Sequence, residues 1–502
     1  MPTHWGDPTA GTFDVRAKRL LAGGQSETQL WLLHGGPGAS GTVGFPARME
    51  RLQGDYPAAD IYTLDHRGTG YSGRLSCPDQ EAATSPSGSS ITSSEMPQCL
   101  VSLQEQWGAD LAAISTTSSA IDLAAYIEAT RQPDQRIIVW GGSYGTYWAH
   151  RYLQVAPAQA DGVVIEGIAP ADATFIPYDE DGNRVAEDFF GLCGSDSICS
   201  AKLGPDPWQR LGAALDSFGE GHCASLGLNR RTFSLLLAYV LYYGPANAVA
   251  PALVYRLERC DPADRDAIVS TWNFFFGSGG VWDIASYSLL LQHHITFSEM
   301  WDHPDFEGVD LEQYFADLMS SAYVAKNLGA GKLALSYDWP AYSDPQYDDQ
   351  WVQTEMPMLM LQGALDPATT IYQAQKLQSR FTAPNQYFVV FDQAPHNVSS
   401  ATPLTSDWDD HCAHNLFLAF MLEPSGALDL SCVDQVLPLD FAGDASLSEA
   451  VLGTTYFYEN TVQNGAPSKA SAASERRTEL RRMLASWPRP QAAGLLGELG
   501  KP

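Results

Sequence analysis

The sequence predicts an α/β fold: a mostly parallel central sheet with flanking helices and an inserted, mainly helical cap. Three observations predict it. Short apolar runs at 61–64, 136–140, 162–166, 358–361 and 386–391 have the length and composition of strands buried on both faces. Between the second and third of these lies a segment with helical spacing, as a strand–helix–strand crossover requires. The 223 positions from 143 to 366 are far more than one crossover needs, so most of that stretch is an insertion.

Taken in order, residues 12–19 and 28–33 read as opening strands, the second running into His34-Gly35-Gly36-Pro37-Gly38. Ile61–Leu64 is the next strand, and Asp65-His66-Arg67-Gly68 turns after it, with Arg67 expected to pair locally as a brace. Residues 75–117 are rich in Ser, Thr, Pro and Gln and read as a long excursion. From 119 to 131, Ala120, Leu123, Ala124 and Ile127 repeat at i, i+3, i+4, i+7, one face of a helix. Strand 136–140 follows, then Gly141-Gly142-Ser143-Tyr144-Gly145, then a helix-like run to Leu153. After the strand 162–166, Pro170 begins the departure from the sheet. The organisation is therefore a core segment 1–170, a cap 171–340, a second core segment 341–435 and an extension 436–502. Cap helices are expected near 206–218, 232–243, 246–258 and 311–327. The aromatic set Trp272, Phe274, Phe275, Phe276, Trp282, Tyr287, Phe297 and Trp301 reads chiefly as cap core. The tail beyond Gly465 is Ala/Ser-rich, with a charged helix near 475–484.

Strand, Gly-x-Ser-x-Gly, helix is the setting in which that pentapeptide carries a nucleophile. Gly142 and Gly145 let strand and helix approach closely, while Ser143 takes a strained conformation that projects its hydroxyl. Two more strand ends carry the partners: Leu361 runs into Gln362-Gly363-Ala364-Leu365-Asp366-Pro367, and Phe391 into Asp392-Gln393-Ala394-Pro395-His396. Open parallel sheets collect ligands at this edge. In this reading His396 takes the Ser143 proton and returns it to the leaving group, while Asp366 fixes the imidazole tautomer. Acyl transfer also needs backbone N–H donors at the developing oxyanion. Gly36 and Tyr144 are the expected pair, with Gly35 a near rival to Gly36.

His34-Gly35-Gly36-Pro37-Gly38, Asp65-His66-Arg67-Gly68-Thr69-Gly70-Tyr71-Ser72 and Gly141-Gly142-Ser143-Tyr144-Gly145-Thr146 together resemble the proline-iminopeptidase branch of the α/β-hydrolases, and within it the larger secreted tripeptidyl-aminopeptidase-like enzymes. Gly363–Pro367 and Ala394–His396 match that family's acid and histidine segments. The likeness covers roughly 12–170 and 340–435. It implies a serine aminopeptidase that releases residues from a free peptide N-terminus, proline-containing or short, without metal or organic cofactor. It also implies a cap acid that holds the substrate ammonium through charge-assisted hydrogen bonds. Glu299 is the first choice, then Asp302, with Glu166 at a strand end where the family carries aspartate.

Composition suits a secreted enzyme. The 502 residues carry 29 basic and 59 acidic side chains, a net charge of −30, which argues against nucleic acid or an anionic membrane as partner. Eight cysteines at 77, 99, 193, 199, 223, 260, 412 and 432 include no Cys-x-x-Cys pair. Pairing of neighbours along the chain would close four modest loops, although spacing alone leaves connectivity open. The resemblance implies the 412–432 bridge. Disulfides favour a secreted or periplasmic location over the cytoplasm, yet residues 1–20 have no signal-peptide pattern. His293-His294 with Glu299, and His411 with His414, lack the spacing of a helical metal site and read as structural histidines. An esterase or lactonase on the same triad, and a silent binding module, are the alternatives to the peptidase.

Overall fold

A computed structural model describes residues 1–460, apart from 86, 87, 89, 90, 278–283 and 407. Trp282 and the segment 475–484 lie outside the described residues. Seven strands form the main sheet: β3 (Ala17–Leu20), β4 (Thr28–Leu33), β5 (Ala59–Leu64), β6 (Arg136–Gly142), β7 (Gly162–Glu166), β8 (Met358–Gly363) and β9 (Gln386–Phe391). Their order is β3-β5-β4-β6-β7-β8-β9, parallel throughout except for the antiparallel edge strand β3. Before them, β1 (Pro2–His4) and β2 (Asp7–Thr12) make a separate hairpin. The expected strand 12–19 is thus divided. The Phe13 N–H turns back to Met1 O (2.7 Å), so only Ala17–Leu20 reaches the sheet edge.

Side chains alternate across the sheet with the strand period of two. Leu30, Leu32, Ile138 and Trp140 face one core, with Phe45, Leu416 and Phe417. Trp31, Leu33, Ile137 and Val139 face the other, against Leu123 and Ile127 of the helix Thr116–Thr130 and Trp148 of Tyr144–Val155. Helix 116–130 starts earlier than its apolar spacing suggested because Ser115 caps it, accepting from Ser118 N.

Arg67 does not pair locally. Its guanidinium grips Asp122 on that helix through Nε (2.6 Å) and Nη2 (2.7 Å), and donates to the carbonyls of Pro2, Thr3 and Ala113. It therefore ties the N-terminal hairpin to the core. The 75–117 excursion is partly ordered as a helix, Met96–Trp107, held by the Cys77–Cys99 bridge.

Between β7 and β8 stand eight principal cap helices: Tyr178–Ser195, Pro207–Asp216, Arg230–Tyr242, Ala250–Arg259, Pro262–Phe276, Leu289–Glu299, Leu311–Ser321 and Leu328–Ser336. Phe189, Phe190, Phe274 and Phe275 fill the cap core. Helix 289–299 behaves differently: Leu290, Leu291, Ile295, Phe297 and Trp301 belong to the core under the sheet. The helix expected to reach 327 stops at Ser321, because the following N–H groups of Tyr323 and Val324 turn to Asn183 Oδ1. The first part of the extension beyond 435 is packed. Phe441, Leu447, Val451 and Phe457 enter the cap core, and Arg256 holds the carbonyls of Tyr456, Phe457 and Glu459.

All eight cysteines are bridged, as 77–99, 193–199, 223–260 and 412–432. Four disulfides point to an extracellular or periplasmic compartment. No helix among the described residues is long and apolar enough to cross a membrane.

Candidate active site

Ser143 sits between the end of β6 and the helix Tyr144–Val155 with φ 56° and ψ −130°, a region that side-chain-bearing residues rarely occupy. The surrounding backbone enforces it: a Cβ on Gly145 would collide with Leu33 O. The Ser143 N–H bonds Glu166 O (3.0 Å), which anchors the turn to β7. Its hydroxyl has no hydrogen-bond partner among the described residues.

The loop after β4 lies directly over this residue. A Cβ on Gly35 would stand 2.7 Å from Ser143 Cβ. The Gly35 N–H donates to His34 Nδ1 (2.8 Å), whereas the N–H groups of Gly36 and Tyr144 donate to no acceptor among the described residues. Of the two rival glycines, Gly36 is the one with a donor to offer. Asp65 locks the loop in place. Its carboxylate accepts from Ser40 Oγ (2.7 Å), Thr42 N (2.9 Å), Thr42 Oγ1 (2.7 Å) and Tyr71 N (3.0 Å).

Tyr144 is fixed from below. His66 Nδ1 donates to Arg67 O (2.7 Å), so its Nε2 accepts from the Tyr144 hydroxyl (3.0 Å), which in turn accepts from Thr116 Oγ1 (2.6 Å). Burial holds the His66 imidazole down at about 4, so it is neutral at neutral pH and keeps this polarity.

At the ends of β8 and β9, Asp366 and His396 meet at 2.7 Å (Oδ2 to Nδ1), both side chains fully buried. Asp366 also accepts from the N–H groups of Ala368 (2.8 Å) and Thr369 (3.0 Å). The Thr369 hydroxyl donates to Asp366 Oδ2 (2.8 Å) and lies 3.2 Å from His396 Nδ1, so it buttresses the pair. The imidazole packs over Gly167, whose Cβ would come within 3.0 Å of His396 Cε1, and Gly167 directly follows the residue that bonds Ser143 N. Asp366 and His396 are therefore joined, with Ser143 one loop away and no hydrogen bond from its hydroxyl yet made. On the cap side, the Tyr242 ring packs at a tilt against the imidazole with ring centroids 4.5 Å apart.

Of the acids expected to hold a substrate ammonium, Glu299 and Glu166 have partners within the fold. Glu299 is buried, accepting from Thr116 N (2.9 Å), Arg151 Nη2 (3.4 Å) and the Tyr342 hydroxyl. Glu166 bonds Ser399 and lies 3.7 Å from Arg48. Asp302 is exposed. Both glutamates already have partners within the fold, as buried carboxylates do wherever a cation is within reach. His293 and His294 are likewise occupied, by Lys332 Nζ (2.9 Å), and by Leu111 O (3.0 Å) and Trp339 Nε1 (3.1 Å). Thr369 and Tyr242 were missed in the sequence. Thr369 stands three positions after Asp366, a spacing that offered a signal, whereas nothing in the chain marks Tyr242.

Comparison with known proteins agrees with this architecture. Residues 30–193 match the alpha/beta hydrolase fold family, and residues 323–432 match the family described as TAP-like protein. The chain has the α/β-hydrolase fold. More narrowly, its segment 323–432 is TAP-like. The first match contains Ser143, the second Asp366 and His396. No curated protein sequence matches it significantly. Among similar solved structures are proline iminopeptidase of Mycobacterium smegmatis (13% identity, 82% of this chain and 96% of that one, TM-score 0.34) and a monoacylglycerol lipase of Paleococcus ferrophilus (12% identity, 82% and 100%, TM-score 0.34).

Proposed function

We propose that the protein is a serine hydrolase that cleaves peptides from a free N-terminus through an acyl-enzyme on Ser143. The observation that carries the chemistry is the buried Asp366–His396 pair at 2.7 Å, one loop from a serine on a strained turn. In this reading His396 Nε2 accepts the Ser143 proton as the oxygen attacks the carbonyl carbon. The negative charge passes to the carbonyl oxygen, where the N–H groups of Gly36 and Tyr144 receive it. The imidazolium, steadied by Asp366, then protonates the leaving amine, and water repeats the sequence to release the acyl group. The Ser143–His396 contact closes when substrate enters, as hydrogen bonds in unliganded sites often do.

The peptidase choice is supported by the TAP-like match over 323–432. A second reading, an esterase, is favoured by one observation: Glu299 and Glu166 each already lie beside an arginine of the fold. Short peptidyl p-nitroanilides with free and acetylated N-termini separate the two. The peptidase cleaves the free form at least about tenfold faster, whereas an esterase ignores the amine and prefers p-nitrophenyl esters. Ser143→Ala lowers turnover by about 10⁴-fold or more with the fold intact. Retained turnover removes Ser143 from the mechanism.

A further inference from the structure

Lys326 is a buried cation without an ion-pair partner, placed one ring away from the imidazole. Its Nζ lies 4.0 Å from the centroid of Tyr242, whose other neighbour is His396. Tyr239 (4.7 Å) provides a second aromatic wall, and the Tyr178 hydroxyl accepts a hydrogen bond at 3.3 Å. Lys326 is only 9% exposed, and no carboxylate among the described residues comes within 4.0 Å of Nζ. Asp179, one of the two acids whose field reaches Lys326, is turned to another purpose. It accepts from the N–H groups of Lys326 (2.8 Å), Asn327 (2.9 Å) and Gly329 (3.1 Å), which fixes the turn that aims the side chain. Asp366 is saturated by His396, Ala368 and Thr369.

The cage borders the nucleophile pocket. Tyr178, Tyr239 and Tyr242 are each only partly buried, as is Tyr287, which sits against Gly38 of the loop over Ser143. Tyr242 reaches His396 and Tyr287 reaches the oxyanion loop, and Lys326 Nζ lies over the rings of Tyr239 and Tyr242. An ammonium taken from water into such a place is costly unless an anion joins it, and cation–π contacts return only part of that cost. A Tyr178 hydroxyl that accepts from Nζ keeps its own proton to donate. Ammonium and phenol together make a donor pair of the kind that binds carboxylate.

We propose that Lys326 and Tyr178 form a carboxylate-binding subsite on the cap side of the Ser143 pocket, so that the preferred substrate carries a carboxylate near the scissile bond. The proposal rests on the reading of Ser143 as nucleophile and deepens it. The carboxylate is that of an acidic side chain or of a chain terminus. Burial draws the Lys326 ammonium down to about 7, against the opposing fields of Asp366 and Asp179. A bound carboxylate reverses that, so the preference for anionic substrate weakens as pH rises above about 7. The groups facing Lys326 are Tyr178 and Asp179 from one helix, Tyr239 and Tyr242 from another, and Asp366 with His396 from the sheet. Of these, His396 acts equally on paired neutral and anionic substrates and cancels in their ratio.

The test compares isosteric pairs: Glu against Gln at each residue near the cut, and free C-terminal acid against amide. The wild type favours the acid member by about tenfold or more in kcat/KM at one position, and that position identifies the source of the carboxylate. In Lys326→Met the ratio falls to about one, whatever the absolute rate, while Lys326→Arg keeps part of it. Equal ratios in wild type and Lys326→Met at every position overturn the proposal. A readout independent of turnover uses Ser143→Ala and calorimetric binding of Glu- and Gln-containing tripeptides. Tighter binding of the Glu peptide that disappears on adding Lys326→Met supports the subsite even if the hydrolytic reading fails. Equal binding overturns the subsite even if Ser143 proves to be the nucleophile.

Discussion

Arg67 under the sheet and Lys326 in the cap are both buried cations, and their surroundings could hardly differ more. Arg67 has a bidentate carboxylate, three backbone carbonyls and the Phe13 ring 4.9 Å away. Lys326 has one phenol and aromatic faces. A cation whose donors are all matched acts as a fastener. One left with unmatched donors beside reactive groups is set up to meet something from outside. Arg256, the cap's own fully buried arginine, belongs with Arg67: it is paired with Asp264 (3.1 Å) and with carbonyls of the returning chain. The division therefore follows pairing and not location.

The strongest challenge to this contrast is Arg67→Met. It strands Asp122, already pushed up by burial, in the core and is expected to cost about 3–5 kcal/mol in denaturant unfolding. A loss below about 1 kcal/mol would dissolve the distinction drawn here. Next in size is acid. His66, His150 and His294 are held by burial at about 4, about 3 and about 4, so each stays neutral in the fold while the unfolded chain takes up protons below about 6.5. Stability is present in full above that pH and is lost as pH falls toward 4, at up to about 1.4 kcal/mol per unit per histidine. Thermal unfolding across this range checks it, and His66→Gln flattens the slope by one residue's share. Thr369→Val removes a hydroxyl that braces Asp366 against His396 and is expected to lower kcat by about tenfold with KM little changed. The smallest effect is on the cap side: Lys326→Met shifts stability by less than about 1 kcal/mol, or raises it, because no partner is left unpaired. A loss as large as that of Arg67→Met would make Lys326 another fastener.

How much of this was legible follows from the range of each interaction. Ser143, Asp366 and His396 each end an apolar run, so local pattern and chain order were enough to pick them out. The glycines at 35, 36 and 145 were visible for the same reason. Pairings across the fold were not. Arg67 is joined to a helix 55 positions on, and Glu299 to an arginine 148 positions back. Glu299 also drew attention through aromatic neighbours that turn out to face the sheet's core, as Phe297 and Trp301 do. Lys326 stood in no motif at all. Only the fold brings helices 178–195 and 230–242 around it. The small hairpin of β1 and β2 was hidden because Pro2–His4 is only three residues long and Asp7–Thr12 has almost no apolar side chains to alternate.

The packing of residues 441–458 into the cap gives the lid a third attachment. The polypeptide leaves the sheet near 170, comes back near 340, and then, after finishing the sheet, laces itself into the lid again through the clasp of Arg256. A protease cut between Ser336 and Met358 would therefore not free the lid, and a gene ending near 435 would encode a lid with part of its wall missing. The two halves of this molecule are sewn, and cannot be exchanged as modules.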